Sequence, residues 1–317
     1  MRMSERRPML VVGGAGFVGH HLVPRLLDDD RDVVVVDNLS RGSIERFGPH
    51  LGDPRLHVVR GDVTDAVLLR TLVADVRPAV VFHLAALHFI PYCVAHPSET
   101  LLVNVVGTQL LLDALATVPD ARLVFASTAD VYAPSDRPHG EDDPIATTNV
   151  YGTSKRFCEE ILGLARAVMP ARRILVARLF NVYGPGETNP HVLPDILAHL
   201  RRGTAVRLGN VEPRRDYVHA RDVADALARL VAYDGPETVF NVGTGAGKSV
   251  RELVQVLGDV LGRRLRVEQD PARVRPVERM HLVADVARIG RALGWSARMS
   301  LRDGLEDLVR RELAAVA

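Results

Sequence analysis

A chain of 317 residues can bury one large core or two closely packed ones. Its apolar fraction of 47% and charged fraction of 25% are those of ordinary globular proteins and speak against disorder and collagen-like order. A formal net charge of +1, with Lys and Arg dispersed along the chain, excludes the basic footprint of a nucleic-acid or anionic-membrane binder.

The N-terminal apolar run is short and broken by glycines, unlike a secretory leader, and no stretch approaches the roughly 18 apolar residues of a spanning helix. Cys93 and Cys158 are too few for a disulfide framework. Neither sits in a CxxC or Cys/His spacing, so no metal is expected, and the reducing cytoplasm is the expected compartment. Cys158 follows YGTSK at helical spacing and reads as a small buried residue.

In chain order, the strand MLVV is followed by GGAGFVG and the helical pattern HHLVPRLLDD, then by the strands DVVVVD and LHVVR. The helix DAVLLRTLVADV, the strand AVVFH, the long helical pattern TLLVNVVGTQLLLDALATV and the strand RLVFAST come next. Continuous apolar strands separated by amphipathic helices predict an α/β fold, a doubly wound parallel sheet of Rossmann type. Beyond residue 182 the alternation loosens around VYGPGETNP and GNVEPRRD, with helical patterns at DVADALARLVAY and SVRELVQVLGDVLG. The expected organisation is a catalytic, NAD-binding Rossmann domain over 1–181 and a smaller α/β substrate lobe over 182–317, with elements free to interleave.

Gly13, Gly16 and Gly19 stand between the first strand and the first helix. Such glycines permit a tight turn and close approach of backbone to a pyrophosphate, which the free N–H groups of the helix start then hold. Asp37 ends the second strand, where a carboxylate accepts from the adenosine ribose and repels a 2′-phosphate. The cofactor expected is NAD, with NADP left open by Arg41. Phe17 and Val18 of the turn, Asn38, Asp62 and Val63 after the third strand, and Leu84, Ala85 and Ala86 after the fourth complete the expected cofactor contacts, Asp62 serving the adenine amino group.

Tyr151 and Lys155 of YGTSK are four residues apart and share a helical face. A tyrosine that exchanges a proton near neutral pH needs its phenolate stabilised, and a nearby ammonium with a positive nicotinamide supplies that. Thr128, at the end of the preceding strand, can complete a hydroxyl relay.

Together GGAGFVG, VVVDNL, HLAA, FASTADVY, YGTSK, RLFNVYGPG, RRDYVHARDVADA and FNVGTG, in this order over nearly the whole chain, resemble the extended short-chain dehydrogenase/reductases, in particular their nucleotide-sugar 4-epimerases and dehydratases. The resemblance implies that NAD is held tightly, that the sugar is oxidised at C4, and that the hydride returns to the opposite face. It makes Tyr151 the base for the C4 hydroxyl, Lys155 its partner and the holder of the nicotinamide ribose, and Thr128 the hydroxyl bonded to the sugar oxygen. It places Asn104 close to the cofactor, Asn181, Arg215 and Arg275 on the substrate pyrophosphate, and Glu278 where relatives usually carry Asp. It also implies a homodimer. His88, in the side-chain-rich stretch HFIPYCVAHP, is a candidate sugar contact.

In the dehydratases that the chain resembles, the threonine of the STADVYA segment is followed by Asp and Glu, which eliminate water. Here Ala129 has no proton to give, and Asp130 is one methylene shorter than Glu, too short for a transfer that needs heavy atoms within about 3.2 Å. A 4-epimerase of a UDP- or dTDP-hexose is therefore expected, with Asp130 lining the substrate pocket. A dehydratase or uronate decarboxylase using Asp130, a reductase that releases its cofactor, and a silent nucleotide sensor are the alternatives.

Overall fold

The computed structural model describes residues 7–203, 205–271 and 279–313. Chain order begins with β1 (Met9–Val12), α1 (Gly19–Asp28), β2 (Val33–Asp37), β3 (Leu56–Arg60), α2 (Ala66–Val76) and β4 (Val80–His83). It continues through α3 (Ile90–Ala95), α4 (Pro97–Leu101), a π-helical turn over Leu102–Val106, α5 (Gly107–Leu115), β5 (Arg122–Thr128), α6 (Val150–Val168) and β6 (Ile174–Leu179). After β7 (Asn181–Tyr183), α7 (Val192–Arg201), β8 (Val206–Leu208), β9 (Arg214–His219) and α8 (Ala220–Leu230), strand β10 (Val239–Val242) follows. The remainder is β11 (Gly247–Ser249), α9 (Val250–Val260), β12 (Val267–Gln269), β13 (His281–Leu282), α10 (Ala287–Leu293) and α11 (Leu301–Glu312).

These elements form two compact units. The first holds the described residues of 1–133, 144–178 and 224–240, and the second those of 134–143, 179–223 and 241–317. The two units interleave along the chain: residues 224–240 belong to the first unit and residues 134–143 to the second.

In the first unit a seven-stranded sheet runs in the order β10-β6-β5-β4-β1-β2-β3. β1 pairs in parallel with both β2 and β4, so that Val12 stands beside Val36 and His83. Winding therefore reverses between β1 and β4, and the loops leaving them diverge to open a crevice at their C-terminal ends. β1 and β2 are buried at every position, as strands with both faces covered must be. Leu69, Leu111, Leu115, Phe125 and Leu162 pack with Leu10, Val34 and Val81 on one side of the sheet. Asp65 and Asn149 cap α2 and α6, accepting from Val67 N and Leu68 N and from Gly152 N respectively.

The long helical pattern expected after β4 is not one regular helix. It is interrupted by the π-helical turn at Leu102–Val106, which holds the buried Asn104. Such single-turn bulges re-aim a side chain inside a helix.

In the second unit β9 pairs with β11, β13 and β7, while β8 pairs with β12. Leu193, Ile196, Leu253, Leu257, Leu305 and Leu308, from helices α7, α9 and α11, share its core. Ser249 and Glu252 close a reciprocal capping box at the start of α9.

Candidate active site

Strand ends β1, β2, β4 and β5 of the first unit carry the expected cofactor and catalytic residues. Gly13 has φ +79°, and a Cβ there would lie 2.5 Å from the Ala85 nitrogen. Only glycine allows the β1 and β4 loops to touch in this way. At Gly19 a Cβ would meet the Gly14 carbonyl oxygen at 2.3 Å, so this residue sets how closely α1 packs on the turn. Gly16 is more open, its nearest neighbour being the Gly13 oxygen at 3.3 Å. Phe17 and Val18 are half-buried where α1 begins, and no side chain caps that helix. Leu84 and Ala85 both donate their backbone N–H to Val12 O, and Ala86 follows in the same loop.

Asp37 is buried and accepts from Ala15 N at 3.0 Å through Oδ2 and from Leu39 N at 2.8 Å through Oδ1. It fastens the glycine turn to the loop beyond β2, and each oxygen keeps a lone pair for a ribose hydroxyl. This carboxylate beside a close-packed glycine turn fits a dinucleotide with a free 2′-hydroxyl. Arg41 lies 4.9 Å over the Tyr92 ring instead of joining Asp37. Asp62 is engaged by Asn38 Nδ2 at 2.6 Å and by the Thr64 N–H at 2.8 Å, and Val63 beside it is buried.

Asn104 joins the loop after β4 to α6. Its Oδ1 accepts from Leu87 N at 2.8 Å, while Nδ2 donates to Leu87 O at 2.9 Å and to Ser154 Oγ at 2.9 Å. Both amide hydrogens are committed to protein, so Asn104 clasps the loop after β4 to α6 and acts on the site through position. Cys158, buried as expected, donates to the Asn104 carbonyl at 3.1 Å.

Tyr151 and Lys155 stand on the first turns of α6, and Thr128 ends β5 opposite them. The Thr128 hydroxyl adjoins the Tyr151 phenol and favours its ionised form. Lys155 is buried, donates to Ala126 O at 2.8 Å and lies 4.5 Å over the Phe125 ring. Burial pushes its pKa down to about 8. Burial likewise pushes the phenol up, the Asp130 carboxylate adds to the rise, and the neighbouring Thr128 hydroxyl opposes them. Burial foremost, and the Asp130 carboxylate next, thus keep the proton on Tyr151, and the positive nicotinamide expected alongside Lys155 is what would counter them.

Three supporting residues escaped the sequence reading. His83, at the end of β4, is within 2.9 Å of Thr108 Oγ1 through Nε2, and burial with the nearby Lys155 charge pushes it down to about 3, so it is a neutral imidazole. Glu159, four residues beyond Lys155, pairs with Arg178 of β6. The signal for both was present, since a charge inside the apolar run ILVARL must find a partner.

Asn181 and Arg215 belong to the second unit. Asn181 pairs with Tyr217 between β7 and β9. Arg215, on β9, donates to the Arg214 carbonyl at 3.1 Å. Next to it the buried Asp216 accepts from Thr244 N, Gly245 N and Ala284 N at 2.8, 2.9 and 3.2 Å, which fixes the strand. His88 is half-buried in the loop after β4. Arg275 and Glu278 lie outside the described residues.

A glycine turn, a buried acid at the end of the second strand and a Tyr-Lys-Thr group on a doubly wound sheet define an extended short-chain dehydrogenase/reductase. The profile of the family described as GDP-mannose 4,6 dehydratase matches residues 10–308, and the chain belongs to that family. A UDP-glucose 4-epimerase of Mycolicibacterium smegmatis is 34% identical over 307 residues, covering 95% of this chain and 96% of that one. Among solved structures, the UDP-glucose 4-epimerase of Thermotoga maritima with UDP-glucose is similar at TM-score 0.90 and 28% identity, covering 98% of this chain and 100% of that one. MoeE5 in complex with UDP-glucose and NAD is similar at TM-score 0.84 and 32% identity, covering 98% and 100%, and it has also been solved with UDP-glucuronic acid.

Proposed function

We propose that this chain interconverts the C4 epimers of a UDP-hexose. The reaction class is NAD-dependent nucleotide-sugar 4-epimerisation, an isomerase activity shared with relatives that match over almost the full chain. The observation that carries the reading is the placement of Thr128, at the end of β5, beside Tyr151 and the buried Lys155 on the first turns of α6.

The glycine turn and Asp37 would hold NAD, which would supply a hydride acceptor for C4 and a positive ring that offsets the influences keeping Tyr151 protonated. Tyr151 takes the proton of the C4 hydroxyl as the hydride leaves, and gives it back when the hydride returns. Thr128 orients the reacting oxygen, and Lys155 steadies the phenolate. Asn181 and Arg215 serve the substrate pyrophosphate, for which a guanidinium offers paired donors. Ala129 is buried and has no acidic proton, so the water elimination in the family's name is not carried over to this chain.

Phe157, Leu164 and Val168 of α6 and Leu102 and Val106 of the π-helical turn are exposed apolar residues. A second copy of the chain that covers them makes the protein a homodimer. Two free, buried cysteines suit the cytoplasm. No helix among the described residues is long and apolar enough to cross a membrane.

The test is mass spectrometry of UDP-, dTDP-, ADP- and GDP-hexoses incubated with the protein in deuterated water. An isomer of unchanged mass with no carbon-bound deuterium, formed from the UDP-sugar in preference to the others, is expected. Loss of water with deuterium incorporated, or loss of carbon dioxide from a uronate, overturns the reading.

A further inference from the structure

In the first unit the loop after β2 is fastened to the glycine turn. A Cβ on Gly42 would lie 2.5 Å from the Ala15 oxygen, and Ser43 N donates to that oxygen at 3.1 Å. With Asp37 accepting from Ala15 N, the loops after β1 and β2 make one lip of the crevice. The other lip is the segment after β4, which carries α3 and α4. The lips meet at the base, where Gly13 packs on Ala85. They meet again at the rim, where the Arg41 guanidinium lies 4.9 Å over the Tyr92 ring of α3.

Both partners of the rim contact are held in place. Asn38 Oδ1 accepts from Ser40 N at 3.0 Å while its Nδ2 donates to Asp62, and Leu39 turns the chain at φ +60° just before Arg41. On the opposite lip the Tyr92 hydroxyl donates to Glu99 of α4 at 2.8 Å, and the His96 ring packs 4.3 Å from the Tyr92 ring.

We propose that Arg41 and Tyr92 form a latch over the bound dinucleotide and set how long it stays. β1 lies between β2 and β4 in the sheet, so a contact from the loop after β2 to the helix after β4 crosses the end of β1 above the glycine turn. A dinucleotide held by that turn and Asp37 runs between the contact at the base and the contact at the rim. It leaves when the rim opens. A guanidinium over an aromatic face is worth most where water is excluded, and a dinucleotide filling the space beneath supplies that exclusion. The inference rests on the NAD reading of the turn, and on the 4-epimerase reading for its purpose: the hydride removed from C4 must come back from the same cofactor. A cofactor that departs between the two transfers leaves the sugar oxidised. Arg41 and Tyr92 touch no reacting atom and act through retention alone.

The experiment dilutes the NAD-loaded protein, without nucleotide sugar, into ethanol and an alcohol dehydrogenase, so that each NAD released is reduced and read by absorbance. Wild type is compared with Arg41→Gln, Tyr92→Leu and the double variant, each checked for native circular dichroism. Arg41 is exposed, so its replacement leaves the core intact. Each single variant should release NAD about threefold to thirtyfold faster, the range for a cation over an aromatic ring. The double variant should release it no faster than the quicker single one, because either change opens the same latch. Unchanged release in either single variant overturns the proposal. So do losses that multiply in the double variant. With no sugar present, the release rates decide the latch by themselves, and failure to isomerise any nucleotide sugar sinks the epimerase reading alone.

Discussion

Glu159 and Arg178 form a buried, two-pronged ion pair, with Arg178 Nη2 at 2.7 Å from Glu159 Oε2 and Nε at 3.0 Å from Oε1. Glu159 also accepts from the Ser127 hydroxyl, and the Arg178 guanidinium lies 4.8 Å over the Tyr132 ring. Both flanks of the segment that carries Thr128 and Asp130 are thereby tied to α6, the helix of Tyr151 and Lys155. The pair acts on the chemistry only through this positioning.

Removing one partner strands the other charge in the interior. Glu159→Leu or Arg178→Met alone should cost about 3–5 kcal/mol in urea unfolding. The double variant should recover most of that stability, since apolar residues of similar size can replace a buried pair, while turnover stays low. Additive losses in the double variant would show that the two side chains do not act as a pair.

Tyr151→Phe should retain NAD and the UDP-sugar but lower kcat by about 10²–10⁴-fold, the range for a positioned acid-base group. Single-turnover spectroscopy of cofactor reduction separates this from lost binding. Unchanged turnover removes Tyr151 from the mechanism.

Gly152→Ala tests the contact between α6 and the STADVYA turn. The added methyl would sit 2.6 Å from the backbone oxygen of Asp130, where no flexible side chain can yield. Overpacking should cost about 1–3 kcal/mol and reduce kcat more than it raises KM. Ordinary kinetics together with wild-type stability would mean that the turn moves freely.

Lys155 gives stability a pH dependence in cofactor-stripped protein. Its folded pKa is pushed down to about 8, whereas an unfolded lysine keeps its proton to about 10.4. Between these values the unfolded chain binds more protons, so stability is greatest above the unfolded pKa and is lost as pH falls through the folded one. The change should reach about 3 kcal/mol, and Lys155→Met should flatten it. Denaturant melts across this window check the sign.

Leu164 and Val168 are 70% and 76% exposed. Leu164→Glu together with Val168→Glu should turn the proposed homodimer into a monomer by light scattering while leaving the fold intact. A wild-type monomer, or a dimer indifferent to both changes, defeats the assembly proposed above.

Local order along the chain was enough to read the strands and helices that build the crevice. Gly13, Gly19 and Asp37 were readable because a turn, a close approach and a ribose partner each restrict residue type at a set distance from a strand. The spacing of Tyr151 and Lys155 is likewise a property of one helix. Other features needed partners remote in sequence: Asn104 turns inward through the π-helical turn to reach Leu87 and Ser154, and residues 224–240 rejoin the first unit. The sequence by itself determined the parallel sheet, the dinucleotide turn and the Tyr-Lys pair, because each follows from periodicity or short spacing. Only the tertiary structure decided that Asn104 is a clasp, that Glu159 and Arg178 anchor the strand end, and that Asp130 loads its charge onto Tyr151, because burial and electrostatics depend on which distant segments meet.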